Sequence, residues 1–483
     1  MATNSEVAVG LDVGTSGARA VAVGFDGRIV AGGRAELPDE ATHREGPIVA
    51  QEPRAWIAAA QAALREMVAA LPAACRIVGI AVDATSGTFL LADEDGQPLT
   101  RGIMYNDLRA VEEAAEADTA VSDVLAPYGI RIAPAFALAK LVHFARRDPR
   151  RFGRCRHVIH QTDWVVGWLS GRYDVTDVST ALKTGADPGK LAWPDALESQ
   201  LGISQELLPE IVLPGTPIGE VTADAAAATG LLAGTPVVAG CTDGTAGCLA
   251  SGAKSAGDLN VTLGTTLVFK AVADEPIIDP EGAIYNHRHP AGGFLPGAAS
   301  STGGDWVGQC FPGANLDDLG RDAAGALPTG RVVYPLVKTG ERFPFACPAA
   351  TGFGLDEIRA TAQRFAAGME GVALLERLGI ERLEGLGLPI GPTIYATGGG
   401  VSSPTWLKIR AAVNRRNYSV PAEPECAVGA AVLAATPHAG GCREAVAALV
   451  RAGATFEPDS ALANAYDEQY AQFQHALTQR GYL

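Results

Sequence analysis

Val7-Ala8-Val9-Gly10-Leu11-Asp12-Val13-Gly14-Thr15-Ser16-Gly17-Ala18-Arg19-Ala20 is the stretch on which the fold turns. Val7 to Val13 is an almost unbroken apolar run, as expected of a strand buried on both faces. Gly14-Thr15-Ser16-Gly17 reverses the chain and Ala18 to Phe25 returns. Asp26-Gly27 makes a second tight turn into a third strand, Arg28 to Ala35. The helical spacing of Pro53 to Leu71 predicts a helix, and strands are expected at Arg76 to Asp83 and Thr88 to Ala92.

Gly264 stands 250 positions after Gly14, and the same syntax surrounds it. A strand, Asp258 to Leu263, meets Gly264-Thr265-Thr266 and returns as Leu267 to Val272. Two strand–Gly-Thr–strand hairpins half a chain apart read as an internal duplication. The organisation expected is α/β with two similar domains, residues 1–240 and 241–483, meeting near 235–255. Just before the second hairpin, the apolar strand Thr235 to Gly240 runs into Cys241-Thr242-Asp243, and Gly244 to Gly252 reads as a small-residue helix. Helical pattern dominates from Asp107 to about Gly230. Further on come strands near 283–288 and 293–299, a long helix over Asp356 to Leu378, and a strand at Thr393 to Thr397. Gly398-Gly399-Gly400 follows, then a helix with Ser403 as N-cap and Pro404 at its first position.

The chain has 483 residues, 47% of them hydrophobic, enough for two cores. A net charge of −16 repels phosphate backbones, so no nucleic-acid partner is expected. The eight cysteines form no C-x-x-C pair, Met1 to Glu6 is polar, and no run of 18 apolar residues occurs. Reduced thiols, a cytoplasmic location and no membrane partner follow as expectations. The oligomeric state is left between monomer and homodimer.

The turns carry the chemistry. Glycines at Gly14 and Gly17 let backbone N–H groups approach a phosphate, and Asp12 at the strand end suits Mg²⁺ held through water. The same residues also suit an ordinary hairpin. No G-x-x-x-x-G-K-[ST] loop is present, so a P-loop enzyme is disfavoured. The trio Gly398-Gly399-Gly400 before a capped helix suits an adenosine platform or a plain loop. Asp243 fits a proton-accepting carboxylate for phosphoryl transfer, or a helix N-cap. Ser86, in Asp83-Ala84-Thr85-Ser86-Gly87-Thr88, and Asn106, in Tyr105-Asn106-Asp107, offer groups for sugar hydroxyls; turn filling and capping are the alternatives. Trp406 stands ready to stack on a base or to fill the core.

LDVGTSGARA from Leu11, TDG at Thr242 to Gly244, VTLGTT at Val261 to Thr266 and ATGGG at Ala396 to Gly400 together resemble the FGGY family of carbohydrate kinases, over about residues 7–437. The resemblance implies a ribonuclease-H-like, actin-like two-domain fold with ATP and sugar in an interdomain cleft. It implies Asp12, Thr15 and Ser16 as the first phosphate motif and Gly264, Thr265 and Thr266 as the second. Gly398, Gly399 and Gly400 match the adenosine motif, and Asp243 the catalytic base. The Arg-Glu pair of glycerol kinases and the Met-His pair of xylulokinases are both replaced here by Thr85-Ser86-Gly87. With Tyr105-Asn106 and Gly340-Glu341-Arg342-Phe343-Pro344, this is similar to the plant and cyanobacterial D-ribulose kinase branch. In that branch Ser86 matches a sugar contact and Trp406 a nucleotide contact, but its usual Asn is Ser403 here. The activity implied is D-ribulose + ATP → D-ribulose 5-phosphate + ADP with Mg²⁺. D-xylulose or another ketose or polyol is the alternative sugar, and an actin-like ATP-binding protein without sugar kinase activity the alternative class.

Overall fold

The structure, a computed structural model, describes residues 5–483. The chain forms two compact units. The first runs to Gly252 and takes back His287–Gly293 and Glu425–Arg451; the second holds Ala253–Asn286, Phe294–Pro424 and Ala452–Leu483.

The first unit is built on a six-stranded sheet. Its spatial order is Ile29–Glu36, Gly17–Gly24, Ser5–Val13, Cys75–Ala84, Pro236–Thr242 and Pro217–Glu220. The first two pairings are antiparallel, the next two parallel, and the last antiparallel. The opening strand is covered on both faces, as its apolar run requires. Helix Pro53–Ala70 packs Trp56, Ala60, Ala63 and Met67 into one core, and helix Cys426–Ala439 packs Ala427, Ala431 and Val432 into the other. The second helix lies very close to the sheet: a Cβ on Gly10 would sit 1.8 Å from the Ala427 carbonyl oxygen. That contact draws residues 425–451 into the first unit and makes it discontinuous, so the units are not the stretches 1–240 and 241–483.

The second unit repeats this plan. Its sheet runs Phe294–Ala299, Leu267–Ala271, Leu259–Leu263, Thr393–Thr397, Asn417–Pro421 and Ala452–Phe456, with Tyr285 and Asn286 opening a short strand beside Phe294–Ala299. From Phe294–Ala299 onward the pairings are again antiparallel twice, parallel twice, antiparallel once. The duplication inferred from two hairpins is therefore a duplication of whole sheets.

Several elements depart from the sequence reading. Between Asp107 and Gly230 the helices alternate with strands His157–His160, Val175–Asp177, Glu210–Val212 and Pro217–Glu220. Strands of three or four residues are too short to show a period of two. The long helix occupies Thr361–Gly385. It continues through Gly379, whose missing side chain makes room for the Phe269 ring, 2.7 Å from where a Cβ would stand. Ser403 caps the helix Pro404–Asn414 as expected, its Oγ accepting from the Trp406 N–H at 3.2 Å.

Candidate active site

In the first unit three neighbouring parallel strands deliver three carboxyl groups. Asp12 and Asp83 are register partners one residue from the ends of their strands, and Asp243 follows the end of Pro236–Thr242. Ligands of open α/β sheets gather at this strand edge. Asp83 is fully buried, and neither carboxyl oxygen meets a donor. Burial, followed by the charges of Asp12 and Asp243, holds its carboxyl well above the usual range. Asp12 is pushed up to about 6, first by burial and then by the charge of Asp243, with a hydrogen bond to Asp83 and the charge of Arg19 pulling the other way. The consistent arrangement is a neutral Asp83 donating to an ionised Asp12.

Asp243 is the first residue of helix Asp243–Ser251; Thr242 holds the capping position. The N-cap alternative for Asp243 therefore fails. Its side chain is exposed, with Oδ1 accepting from the Gly244 N–H at 2.7 Å, and Cys426 Sγ lies 3.5 Å from its carbonyl oxygen. Arg19, paired with Glu425 at 3.1 Å, is the cation bearing on Asp12. Among the described residues no group of three or more His, Cys, Asp or Glu is arranged to hold a metal by itself. Mg²⁺ does not need one: it takes one or two carboxylates and completes its shell with water and phosphate. Two adjoining carboxyl groups, one of them fully buried and reached by no donor, fit such a cation.

The turn Gly14-Thr15-Ser16-Gly17 is tight. Gly14 N–H donates to the Gly17 carbonyl at 2.9 Å, Gln51 Nε2 to the Thr15 carbonyl at 2.8 Å, and Leu37 N–H to the Ser16 carbonyl at 2.8 Å. A Cβ on Gly17 would strike the Ala35 carbonyl at 2.3 Å, so the close approach of the neighbouring strand by itself requires glycine there.

The segments 85–88 and 105–106 are braced through hydrogen bonds the sequence does not disclose. Gln161 Oε1 accepts from Thr85 Oγ1 at 2.6 Å, Thr85 and Thr88 share a hydroxyl bond of 2.7 Å, and the Tyr105 N–H donates to Thr88 at 3.1 Å. Lys140, fully buried, donates to the carbonyls of Gly87 at 3.1 Å and Met104 at 2.8 Å. Lys183 reaches the Ser86 carbonyl at 3.3 Å. Within this brace Ser86 Oγ, Asn106 Oδ1 and Gln161 Nε2 are buried atoms with no partner. Buried polar atoms are ordinarily paired, so a set without partners beside a cluster of carboxyl groups marks a place for a polar ligand.

The second unit carries a cavity of about 420 Å³. Leu263, Gly264, Thr265, Gly399, Gly400 and Ser403 line one part, and Val307, Phe311, Leu316, Phe365 and Trp406 give it apolar walls. Its size suits a small molecule. Gly398 adopts φ +83°, and a Cβ on it would lie 2.6 Å from the Leu263 carbonyl, so the glycine trio is pressed against the second hairpin. Trp406 is only 5% exposed and donates from Nε1 to the Met369 carbonyl at 3.1 Å: it is a core residue with one edge in the cavity. Thr266 is not among the lining residues.

Asp83, Gln161, Lys140 and Lys183 escape the sequence reading, as do the walls Val307, Phe311, Leu316 and Phe365. Asp83 alone leaves a local signal, a second apolar strand ending in Asp followed by small and hydroxyl residues.

Residues 7–250 match the N-terminal domain of the FGGY family of carbohydrate kinases, and residues 259–437 match its C-terminal domain. The xylulose kinase of Bacillus subtilis (strain 168) is 27% identical over 444 residues, covering 88% of this chain and 87% of its own. An autoinducer-2 kinase of Yersinia pestis (strain Pestoides F) is 29% identical over 457 residues, 88% of this chain and 84% of its own. The crystal structure of the xylulose kinase from Rhodospirillum rubrum superposes with a TM-score of 0.85 at 28% identity over 98% of each chain. With its duplicated sheets, carboxyl-bearing strand ends and actin-like ATPase fold, the chain belongs to the FGGY family of carbohydrate kinases.

Proposed function

We propose that the protein moves the γ-phosphoryl group of ATP to the terminal hydroxyl of a ketopentose, with D-ribulose the sugar and D-ribulose 5-phosphate and ADP the products. The observation that carries this is the pairing of an exposed Asp243 beside Asp12 and Asp83 with the partnerless Ser86 Oγ and Asn106 Oδ1. Asp243 accepts the proton of the sugar hydroxyl as that oxygen bonds to the γ-phosphorus; the bond from phosphorus to the β,γ-bridging oxygen breaks, and ADP leaves with its electrons. Ser86 and Asn106 hold the sugar hydroxyls. Gly14, Thr15 and Ser16 in the first unit, and Gly264, Thr265 and Thr266 in the second, cradle phosphates. Gly398, Gly399, Gly400, Ser403 and Trp406 border the adenosine. Mg²⁺, held by Asp12, would neutralise charge on the transferring group. Eight cysteines without a C-x-x-C pair suit a reducing, cytoplasmic setting, and no helix among the described residues is long and apolar enough to cross a membrane.

D-xylulose is the second reading, favoured by the names of the relatives; against it stands Thr85-Ser86-Gly87 in place of the Met-His pair. The two sugars differ in configuration at C3, so hydrogen bonds to that hydroxyl must discriminate them, by about tenfold to a hundredfold. Comparing kcat/KM for D-ribulose, D-xylulose and glycerol, with wild type and Ser86→Ala, tests the reading. D-ribulose should lead and glycerol trail. Equal values for the two pentuloses reject the ribulose assignment, and a preference that survives Ser86→Ala rejects the residue.

A further inference from the structure

Gly340-Glu341-Arg342-Phe343-Pro344 lies outside the mechanism above, yet each of its first four residues acts on one feature. Gly340 has φ +101°, and a Cβ on it would lie 3.2 Å from the Pro348 carbonyl oxygen, so the sharp approach to Glu341 requires glycine. Glu341 is 3% exposed. Its carboxylate accepts from Ser300 Oγ at 3.0 Å, Thr302 Oγ1 at 2.8 Å, Tyr334 OH at 2.8 Å, the Arg342 N–H at 2.9 Å, and the Ser301 N–H. Arg342 Nη2 donates to the Ser300 carbonyl at 2.9 Å. Phe343 packs edge-on against Phe269 of the strand Leu267–Ala271, ring centres 5.2 Å apart.

The segment so gripped, Ser300 to Thr302, continues directly onto the second phosphate turn. Leu267 N–H donates to the Thr302 carbonyl and Ser300 N–H to the Leu267 carbonyl, both at 2.9 Å. Gly304 N–H donates to the Gly264 carbonyl at 2.8 Å and Asp305 N–H to the Thr265 carbonyl at 3.2 Å. A Cβ on Gly303 would lie 2.4 Å from Thr266 Cα, so the two segments are in backbone contact. A buried carboxylate with five donors is a rigid anchor, because each donor pays a desolvation penalty if it is released.

We infer that Glu341 is a positioning residue for nucleotide phosphate, setting the conformation of Gly264-Thr265-Thr266 through the Ser300–Asp305 segment without touching the ligand. The inference rests on the kinase reading above, and its ligand class is a nucleoside di- or triphosphate. Its signature is a split: nucleotide affinity depends on Glu341, sugar affinity does not.

The test is calorimetric binding of Mg·ADP to wild type, Glu341→Gln, Thr302→Val and the double variant, with KM for ATP and for the sugar measured in parallel. Glu341→Gln turns an all-acceptor group into one that faces donors with its own NH₂, so Kd for Mg·ADP and KM for ATP should rise about tenfold or more, with the sugar KM unchanged within about twofold. Thr302→Val should produce a smaller rise in the same direction, and the double variant little more than Glu341→Gln alone, because both act through one contact. Wild-type affinity for Mg·ADP in Glu341→Gln overturns the inference, as does an equal loss of nucleotide and sugar affinity, which would mark a general structural role. Should Glu341→Gln fail to fold, Thr302→Val decides, and unchanged nucleotide affinity there rejects it. Wild type without affinity for Mg·ADP would instead bring down the kinase reading, and this inference with it.

Discussion

The two sheets share a topology but end their strands differently. In the first unit the parallel register brings Asp12 beside Asp83, and Asp243 follows the next strand. The corresponding positions in the second unit are Thr262 and Thr397, again register partners, followed by Ala422 after the strand Asn417–Pro421. Where the first unit sets carboxyl against carboxyl, the second sets hydroxyl against hydroxyl, Thr262 Oγ1 to Thr397 Oγ1 at 2.7 Å. Two carboxyl groups in one buried place cannot both ionise cheaply, whereas two threonines satisfy each other. One copy of the fold is thus electrostatically loaded and the other relaxed, with an apolar-walled cavity. On the proposed reading, proton and metal chemistry would need strand-end carboxylates once, while nucleotide binding would need glycine, backbone N–H groups and apolar walls.

The hardest blow to this contrast is Asp243→Asn. Losing a general base costs about 10²–10⁴ in rate, so kcat should fall by that range while Mg·ADP affinity, a property assigned to the other unit, stays within about twofold. Single-turnover phosphoryl transfer with calorimetry on the same samples measures both. A near-normal kcat removes Asp243 from the reaction.

Asp12 bears on this contrast through pH. Its carboxyl is raised from 3.8 to about 6, so in the proposed role a proton would compete with Mg²⁺ below that value. Apparent Mg²⁺ affinity should fall by about tenfold per pH unit below about pH 6 and level off above. The stability effect has the opposite sense. A group with a raised folded pKa contributes stability that is complete below its unfolded pKa and is lost as pH rises through its folded one. Metal-free wild type should therefore lose stability relative to Asp12→Asn as pH climbs from about 4 to 6. Denaturant melts of both proteins across that window check the sign; parallel curves would mean that Asp12 titrates normally.

What the sequence discloses divides along the same physical line. Hairpins, the Ser403 cap and Gly398-Gly399-Gly400 are local: apolar runs, glycines and a Ser-Pro pair lie within a few residues of the features they make. Hence the strand-end places of Asp12 and Asp243 and both glycine turns are legible. Asp83 is written in the chain as plainly as Asp12, but its meaning depends on a parallel register between strands 71 residues apart. Lys140 reads as an amphipathic helix residue until the fold buries it over Gly87 and Met104. The return of Glu425–Arg451 to the first unit depends on backbone approaches at Gly10 and Gly429, which resemble any other glycines in the sequence.

Lys140 offers a weaker test on the loaded side. Burial lowers its ammonium to about 7, so it is expensive to keep charged, yet it ties the carbonyl before Tyr105-Asn106 to the carbonyl after Ser86. Lys140→Met trades two hydrogen bonds for relief of that burial, leaving stability changed by only about 1–2 kcal/mol. Sugar KM should rise about tenfold as the loops lose their common anchor, and KM for ATP should hold. Unchanged sugar KM would show that the loops keep their places without it.

The smallest effect is expected on the relaxed side, at Thr397→Val. Thr397 is 5% exposed; its hydroxyl pairs with Thr262 and donates to Asn260 Oδ1 at 3.1 Å. Valine keeps the shape and drops the hydroxyl, and Thr262 Oγ1 still accepts from Asn260 Nδ2 at 3.2 Å. The cost should be about 1–2 kcal/mol of stability, the ordinary net value of the two hydrogen bonds lost. No proton or cation is assigned to this strand end, so kcat and the Mg²⁺ dependence should stay within about twofold of wild type. Thermal melts and Mg²⁺ titrations of activity check both halves. A tenfold loss of kcat with an unmoved melting temperature would mean that the threonine pair takes part in the chemistry, and the division of labour drawn from the two strand ends would fall.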